Sequence, residues 1–259
     1  MTILVIARNT LGEALRKKIL WIFLIVALGM IAFSVSFAFF ATSREELTII
    51  KSMGLGVIAI AGMFISVVLG INLIATEIER RTIYTILSKP VRRHEFILGK
   101  YLGALLTLFI NLGLMSTVFL LMVTWKAGWH PDFALLKGTL MLFFQLMLLS
   151  AVAMVFSVFT TPVVNFFMTS AVYIVGSLSD VTGTLSKGTD QNPVIRGFYW
   201  LIHYLIPQFE NFFTQNPLIH PEVVIQNETL YYIKTITYAI VYSTILLIVA
   251  ILAFEKKDM

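Results

Sequence analysis

Long runs without a charged residue most constrain what this chain can fold into. Three of them, residues 19–43, 52–76 and 101–125, are each 25 residues long and consist largely of aliphatic and aromatic residues. As an α-helix, 25 residues extend about 37 Å, which exceeds the roughly 30 Å thickness of the hydrocarbon core of a bilayer. Each run therefore predicts one membrane-spanning helix.

Two further uncharged runs complete the predicted membrane region. Residues 138–179 form a run of 42, enough for two spans, and the sequence Thr160-Thr161-Pro162 supplies a turn near its middle. Residues 235–254 form the last run, of 20. We therefore predict an all-α integral membrane protein, one transmembrane domain over residues 1–259, with six spans at about 19–42, 52–76, 101–125, 137–160, 162–180 and 232–254.

The placement of the charged residues predicts the orientation. Only 13% of the residues are charged, whereas globular proteins average about a quarter. Basic residues flank the apolar runs instead of clustering outside them, so membrane lipid is an expected partner and nucleic acid is not. With the N-terminus inside, the inner segments hold twelve of the 19 Lys and Arg residues. Both termini and residues 77–100 are therefore predicted to be cytoplasmic, and residues 181–230 extracytoplasmic.

Residues 1–18, before the first span, are predicted to form a helix in the membrane interface. Their two faces differ in polarity, with an apolar face of Leu4, Ala7, Leu11, Ala14 and Leu15 and a polar face of Arg8, Asn9, Glu13, Arg16 and Lys17. The alternative is that these residues are only the charged flank of the first span.

The long segment 181–230 divides into two parts. Residues 182–193, TGTLSKGTDQNP, are rich in turn-forming residues and predict a loop. Residues 197–209 are uncharged for 13 positions, too few to cross a bilayer and too apolar for water. That length fits a re-entrant or interfacial helix ending near Pro207. The alternative is a hydrophobic plug packed on the outer ends of the spans.

The sequence lacks the patterns on which an enzyme or a metal site depends. It contains no cysteine, no GxxxxGK[ST] loop and no HExxH, and its four histidines lack ligand-like spacing. The five uncharged runs contain neither a carboxylate nor a histidine, which also argues against an ion-coupled carrier. We therefore predict a chain that is not an enzyme, with no catalytic residue, no metal site and no cofactor of its own.

Polar and small residues inside the runs predict helix contacts. The amides are one each in spans two to five, Asn72, Asn111, Gln145 and Asn165. Such amides either bond neighbouring helices together or line a transport path, and Asn72 and Asn165 are the candidates for the path. Close approach of helices is predicted at Gly54, Gly56, Gly62 and Gly70 in span two and at the pair Gly99 and Gly103 at the start of span three.

Residues 77–100, EIERRTIYTILSKPVRRHEFILGK, are the most charged segment and hold six of the Lys and Arg residues. The pattern of residues 82–87 predicts a short amphipathic helix with its aliphatic residues on one side. Pro90 forces the residue before it out of the helical region, so a second helix can begin only beyond this proline. The pattern predicts a small helix across the cytoplasmic mouth, joined to a span on each side.

The order of residues in this segment resembles the signature of the ABC (ATP-binding cassette) type-2 permeases, the membrane subunits of ATP-driven exporters. The matching positions are Glu77, Glu79, Thr82, Ile86, Leu87, Pro90, Arg93, Glu95, Phe96, Gly99 and Lys100. One departure is Arg81, where many members carry glycine. The stretches ARNTLGEALRKK, YLIPQFENF and FEKKDM extend the resemblance over most of the chain.

The resemblance implies that the helix at about 82–87 is a coupling helix that docks in a cleft of a separate ATPase subunit. The residues implied to contact that subunit are Glu77, Glu79, Arg80, Arg81, Thr82, Ile83, Tyr84, Ile86 and Leu87. Two hypotheses compete with this one. The segment could be a cytoplasmic loop whose charges only satisfy the positive-inside rule, or the chain could be an ATP-independent carrier or channel.

The resemblance also implies the assembly and its location. Two ABC ATPase subunits would carry ATP and Mg, and a second permease, identical or related, would complete the substrate path. The expected location is the prokaryotic plasma (inner) membrane.

Overall fold

The computed structural model describes residues 2–38, 46–71, 92–130, 132–187, 193–212 and 227–256, and these are folded as helices and short connections with no strand. The predicted all-α class is therefore confirmed for this part of the chain. The helices are α1 (Thr2–Leu15), α2 (Lys18–Ala38), α3 (Glu46–Ile71), α4 (Arg93–Lys126), α5 (Ala134–Phe159), α6 (Pro162–Ser177), α7 (Ser179–Lys187), α8 (Pro193–Leu205), a 3₁₀ turn (Glu210–Phe212) and α9 (Glu228–Glu255).

Five helices in the described residues, α2, α3, α4, α5 and α9, are long and apolar enough to cross a membrane. They coincide with five of the six predicted spans. The remaining span, predicted at 162–180, corresponds to α6, which is apolar but has 16 residues. At 1.5 Å per residue α6 is about 24 Å long, shorter than a hydrocarbon core of roughly 30 Å. The count of six spans stays a prediction.

α4 is the longest helix, with 34 residues. Its length of about 51 Å exceeds the bilayer core by roughly 20 Å, so it extends beyond the membrane at one end or both. It begins eight residues before the predicted span 101–125. As predicted, this helix begins beyond Pro90, although the residues between the proline and Arg92 lie outside the described part.

The turn predicted between spans four and five is confirmed. Thr160 and Thr161 are extended, with φ and ψ of −120° and 162° and of −72° and 158°, and Pro162 occupies the first turn of α6. Proline is favoured there because the N–H that it lacks has no partner at the start of a helix. It also keeps the preceding residue out of the helical region.

α5 lies at the centre of the bundle and contacts α3, α4, α6 and α9. Its side chains Leu146, Leu148 and Leu149 are fully buried.

Glycines let α3 come close to its neighbours. A Cβ atom on Gly54, Gly62 or Gly70 would lie 2.1–2.4 Å from Phe119, Leu146 or Ala153 respectively. The close approach predicted for α3 is confirmed at these three glycines, but it is wrong at Gly56 within the described part of the chain, where no atom lies within 4 Å of the added Cβ.

The loop predicted at 182–193 is wrong for its first six residues, which belong to α7. Thr182 and Thr184 donate their hydroxyl protons to the carbonyls of Ser179 and Val181, both at 2.9 Å. Gly183 lies against the ring of His203 in α8, so near that an added Cβ would be 3.1 Å from Cε1. Packing of α7 on α8 thus overrides the weak helix propensity of this sequence.

α8 and the segment that follows it lie beside the middle of the long helices. α8 ends at Leu205, two residues before Pro207, in agreement with the prediction. The Leu205 carbonyl accepts the hydroxyl of Tyr242 at 2.8 Å, and the Phe209 carbonyl accepts the amide of Gln145 at 3.3 Å. Tyr242 and Gln145 are about 21 Å and 16 Å from the starts of their helices. This depth favours the re-entrant alternative.

Candidate functional site

Of residues 77–100, the segment that carries the family resemblance, the structure describes residues 92–100. Residues 77–91 lie outside the described part, and with them the predicted ATPase contacts Glu77, Glu79, Arg80, Arg81, Thr82, Ile83, Tyr84, Ile86 and Leu87. The predicted path residue Asn72 also lies outside the described part.

Arg92 and Glu95 fix the start of α4. Arg92 occupies the N-cap with an extended backbone, φ −71° and ψ 143°. The Glu95 carboxylate accepts the backbone N–H of Arg92 at 3.2 Å, so one of the amides that lack an intrahelical partner is satisfied. A carboxylate in the first turn also interacts favourably with the helix dipole. The residues before Arg92 therefore lead directly into a capped helix.

Arg93 and Phe96 attach the start of α4 to the end of α9. One guanidinium nitrogen of Arg93, Nη1, donates to the carbonyl oxygens of Phe254 at 3.1 Å and Glu255 at 2.9 Å. Carbonyls in a last turn lack intrahelical donors, and a cation there interacts favourably with the dipole. Phe254 also stacks on Phe96, with ring centres 6.2 Å apart, and lies under the guanidinium at 5.9 Å.

Gly99 and Gly103 allow α1 to lie directly on α4. A Cβ atom on Gly99 would lie 2.7 Å from Cβ of Ile6, and one on Gly103 would lie 2.5 Å from Cβ of Thr10 and 2.7 Å from the carbonyl oxygen of Ala7. No larger residue fits at either position without displacing α1. The close approach predicted for this glycine pair is confirmed, and the partner helix is α1.

Lys100 adds an ionic contact between α1 and α4. Its side chain is buried, and Nζ lies 3.5 Å from the carboxylate of Glu13 and 5.8 Å from the ring centre of Phe96. A buried ammonium is stable only with such partners, because its removal from water is costly. We call Glu13, Arg93, Phe96, Gly99, Lys100 and Phe254 the α1–α4–α9 junction.

The predicted apolar face of α1 is buried at some positions and exposed at others. Ala7 and Ala14 are buried, whereas Leu4 and Leu15 are 72% and 37% exposed. The two alanines lie towards the other helices, Leu11 is half-buried, and Leu4 and Leu15 are exposed. This division is compatible with the predicted interfacial helix, which would present its large apolar residues to lipid.

The buried amides join different elements. Asn165, on α6, is fully buried, donates to the Ala153 carbonyl of α5 at 2.9 Å, and accepts the hydroxyl of Thr169 at 2.8 Å. Asn111 donates to the Thr107 carbonyl of its own helix at 2.9 Å. In this conformation Asn165 is thus an interhelical contact between α5 and α6. Its role in a transport path stays a prediction.

Three helices meet at the junction, next to the point in the sequence at which residues 77–91 join α4. There α4 is fixed to α1 and to the end of α9. Sequence reasoning missed the Arg93 contact with Phe254, which spans 161 positions. The only signal for it was that both residues belong to stretches with the same family resemblance.

Comparison with known protein families gives a match that includes the junction and residues 77–91. The family model described as ABC-2 family transporter protein matches residues 4–259. The match includes α1, residues 77–100 and the end of α9, and so nearly the whole chain. No curated protein matches this sequence.

Proposed function

The chain belongs to the ABC-2 transporter family, a family of multi-pass membrane subunits of ABC transporters, and from this premise we propose that it is the permease subunit of an ATP-driven exporter. The observation that carries the proposal is the α1–α4–α9 junction. It lies immediately after residues 77–91, where a partner protein could act on three helices at once.

The proposed coupling helix is residues 82–87. Its aliphatic residues Ile83, Ile86 and Leu87 would enter a cleft of the ATPase, and the charged residues around it would position it. ATP can bias the permease only if the closed ATPase pair binds one permease conformation more tightly than the other. Residues 88–91 connect the proposed helix to the junction, so a change in the position of the docked helix would act on α1, α4 and α9 together.

The proposed working unit contains two permeases and two ATPases. The sequence has no phosphate-binding loop of the GxxxxGK[ST] kind, so ATP and Mg would be bound by the partner chains. The second permease, identical or related, would complete a path to which Asn72 and Asn165 contribute. We place the assembly in a prokaryotic plasma membrane with both termini cytoplasmic.

Copurification with the ATPase tests the coupling helix. Leu87→Asp and Ile86→Asp would each place a carboxylate in an apolar cleft, and we expect them to abolish capture of the ATPase while the permease still inserts. Thr85→Asp is the matched control, because it adds the same charge on the predicted opposite face, and its capture should be retained. Equal capture by all three variants would contradict the assignment.

Cysteine labelling tests the orientation. The chain contains no cysteine, so single substitutions can be labelled without background. With an impermeant maleimide, Thr85→Cys should react only from the cytoplasmic side and His130→Cys, at the other end of α4, only from outside. The opposite pattern would overturn the coupling role. Solute movement by the chain alone in liposomes, without any ATPase, would support the carrier or channel alternative.

A further inference from the structure

The N-terminal helix α1 and the turn after it carry an excess of positive charge. Residues 2–18 contain four basic residues and one acidic residue, Glu13. The Glu13 carboxylate lies 3.9 Å from Nζ of Lys17 and 3.5 Å from Nζ of Lys100, so two cations already share it. The remaining basic residues of this segment therefore have no acidic residue of the same segment available to them.

These remaining basic residues are Arg8, Arg16 and Lys18, and all three are exposed. Within the described part of the chain, none of them forms an ion pair. Arg8 lies in the middle of α1, Arg16 directly follows the helix, and Lys18 begins α2. Arg8 and Arg16 are about 12 Å apart at the rise of a helix, far enough for each to contact a separate anionic group.

Exposed apolar side chains border the three cations. They are Leu4, Val5, Leu15, Ile19 and Trp21, with 37–72% of each residue accessible. The Trp21 indole donates its N–H to the Leu15 carbonyl at 2.8 Å, which fixes the start of α2 to the end of α1. Tryptophan is enriched at membrane interfaces, because its ring is apolar and its N–H is a hydrogen-bond donor. The surface thus combines positive charge with apolar area.

Two observations place α1 at the end of the spanning helices. The candidate span of α2 begins at Lys18, and α1 ends at Leu15, just before it. α1 also contacts α4 at Gly99 and Gly103, on either side of the point at which the uncharged residues 101–125 begin. α1 therefore lies where charged sequence gives way to uncharged sequence, which is the level of the phospholipid headgroups.

We propose that α1 and the start of α2 bind the headgroups of anionic phospholipids. The planar guanidinium groups of Arg8 and Arg16 suit two-point contacts with phosphate oxygens, and acyl chains would cover the exposed apolar side chains. Each basic residue beside a membrane increases the affinity for anionic lipid about fivefold. A free phosphate ion would leave the apolar side chains in water, so lipid is the better match. The inference does not depend on coupling to an ATPase.

Trp21 provides a reporter beside this surface. The sequence has four tryptophans, and replacement of Trp125, Trp129 and Trp200 by phenylalanine leaves Trp21 as the one fluorophore of its kind in the full chain. This chain is reconstituted in phosphatidylcholine vesicles that contain a rising fraction of brominated phosphatidylglycerol or brominated phosphatidylcholine, which quench tryptophan on contact. We expect an association constant at least tenfold higher for phosphatidylglycerol. Equal constants for the two lipids would overturn the proposal.

Charge variants test whether α1 provides the site. Arg8→Gln and Arg16→Gln should each lower the preference for phosphatidylglycerol about fivefold, whereas Arg8→Lys keeps the charge and should lower it less than Arg8→Gln does. Lys256→Gln is the matched control, because it removes an exposed positive charge at the end of α9, outside this surface, and should leave the preference unchanged. A preference that survives both glutamine variants on the α1 side, or that Lys256→Gln lowers equally, would contradict the site.

Soluble glycerol phosphate tests whether acyl chains belong to the ligand. It carries the same anionic group without a chain, so at constant ionic strength it should leave the quenching by brominated phosphatidylglycerol unchanged. Recovery of the Trp21 fluorescence would show that the surface binds a free phosphate group and would overturn the assignment to lipid. At 1 M salt the Debye length falls to about 3 Å, so the preference for phosphatidylglycerol should fall several-fold. A preference that salt leaves unchanged would contradict the role of the exposed arginines.

Discussion

The two ends of the helical bundle use charged residues in different ways. At the α1–α4–α9 junction, Arg93 binds the last carbonyls of α9, Lys100 pairs with Glu13, and two glycines leave no space between α1 and α4. At the other end, hydrogen bonds join α7, α8 and α9 but leave a cavity of about 400 Å³. The junction thus has no free space between its helices, whereas the other end is less densely packed around the cavity.

The second end is held by ion pairs that reach solvent. Among the described residues these are Lys51 with Asp132 at 2.6 Å, Lys126 with Glu46 at 3.1 Å and Lys137 with Glu228 at 2.8 Å, of which the first two are partly buried and the third is exposed. Exposed ion pairs contribute about 0–1 kcal/mol, whereas overpacking a close contact costs about 1–3 kcal/mol. Substitutions at the junction should therefore cost more stability than substitutions in the ion pairs.

The largest effect is expected for Gly103→Ala. The added Cβ meets Thr10 and the backbone of Ala7, so α1 must shift, at a cost of about 1–3 kcal/mol. Gly113→Ala is the control in the same helix, because no atom of the described residues lies within 4 Å of its Cβ position. It should gain about 0.5–1 kcal/mol from the lower backbone entropy of alanine. Unfolding in a denaturing detergent measures the change in the free energy of unfolding of both variants. Changes of the same sign would contradict the expected difference between the two positions.

Arg93→Lys should have the next largest effect, about 1–2 kcal/mol, because a lysine cannot reproduce the planar guanidinium that bonds two carbonyls and stacks on Phe254. Hydrogen exchange should accelerate in the last turn of α9, residues 252–256. Arg92→Lys is the control, since the described contacts of the exposed Arg92 are made by its backbone. Unchanged exchange in Arg93→Lys would show that the guanidinium does not hold α9.

Features decided by local chemistry could be predicted from the sequence. The uncharged runs predicted the five long helices, Pro162 predicted the turn before α6, and Pro207 predicted the end of α8. The glycine pair at 99 and 103 predicted a close helix contact. Each of these depends on a property of one residue or one short stretch, such as a missing N–H or a missing side chain.

Features that depend on distant partners could not be predicted in this way. α7 forms because Gly183 packs on His203 of the next helix, so its turn-like composition was misleading. The sequence shows only that Glu210 follows an uncharged stretch. The fold places that carboxylate beside Ser179, 31 positions away, and near the start of α9. A charged residue just after a short apolar run was the available signal for that contact.

A smaller effect is expected at the buried amide of α6. Asn165→Leu keeps a similar volume but removes the bond to the Ala153 carbonyl and the acceptor for Thr169, and should cost about 1 kcal/mol. Asn111→Leu is the control, because that amide bonds only within its own helix among the described contacts, and its cost should be smaller. Melting temperatures of the two variants in the same detergent compare these costs. An equal cost would mean that Asn165 does not join α5 to α6.

The smallest effects are expected in the ion pairs of the second end. Asp132→Asn removes the pairing with Lys51 but keeps an oxygen that can accept the backbone N–H of Ala134, so the cost should be about 0.5–1 kcal/mol. Glu228→Gln, in the more exposed pair, should leave the melting temperature unchanged. At 1 M salt the Debye length falls to about 3 Å, so the effect of Asp132→Asn should shrink while that of Gly103→Ala persists. A cost for Glu228→Gln that equals the cost for Gly103→Ala would mean that exposed charges hold the cavity end as firmly as packing holds the junction.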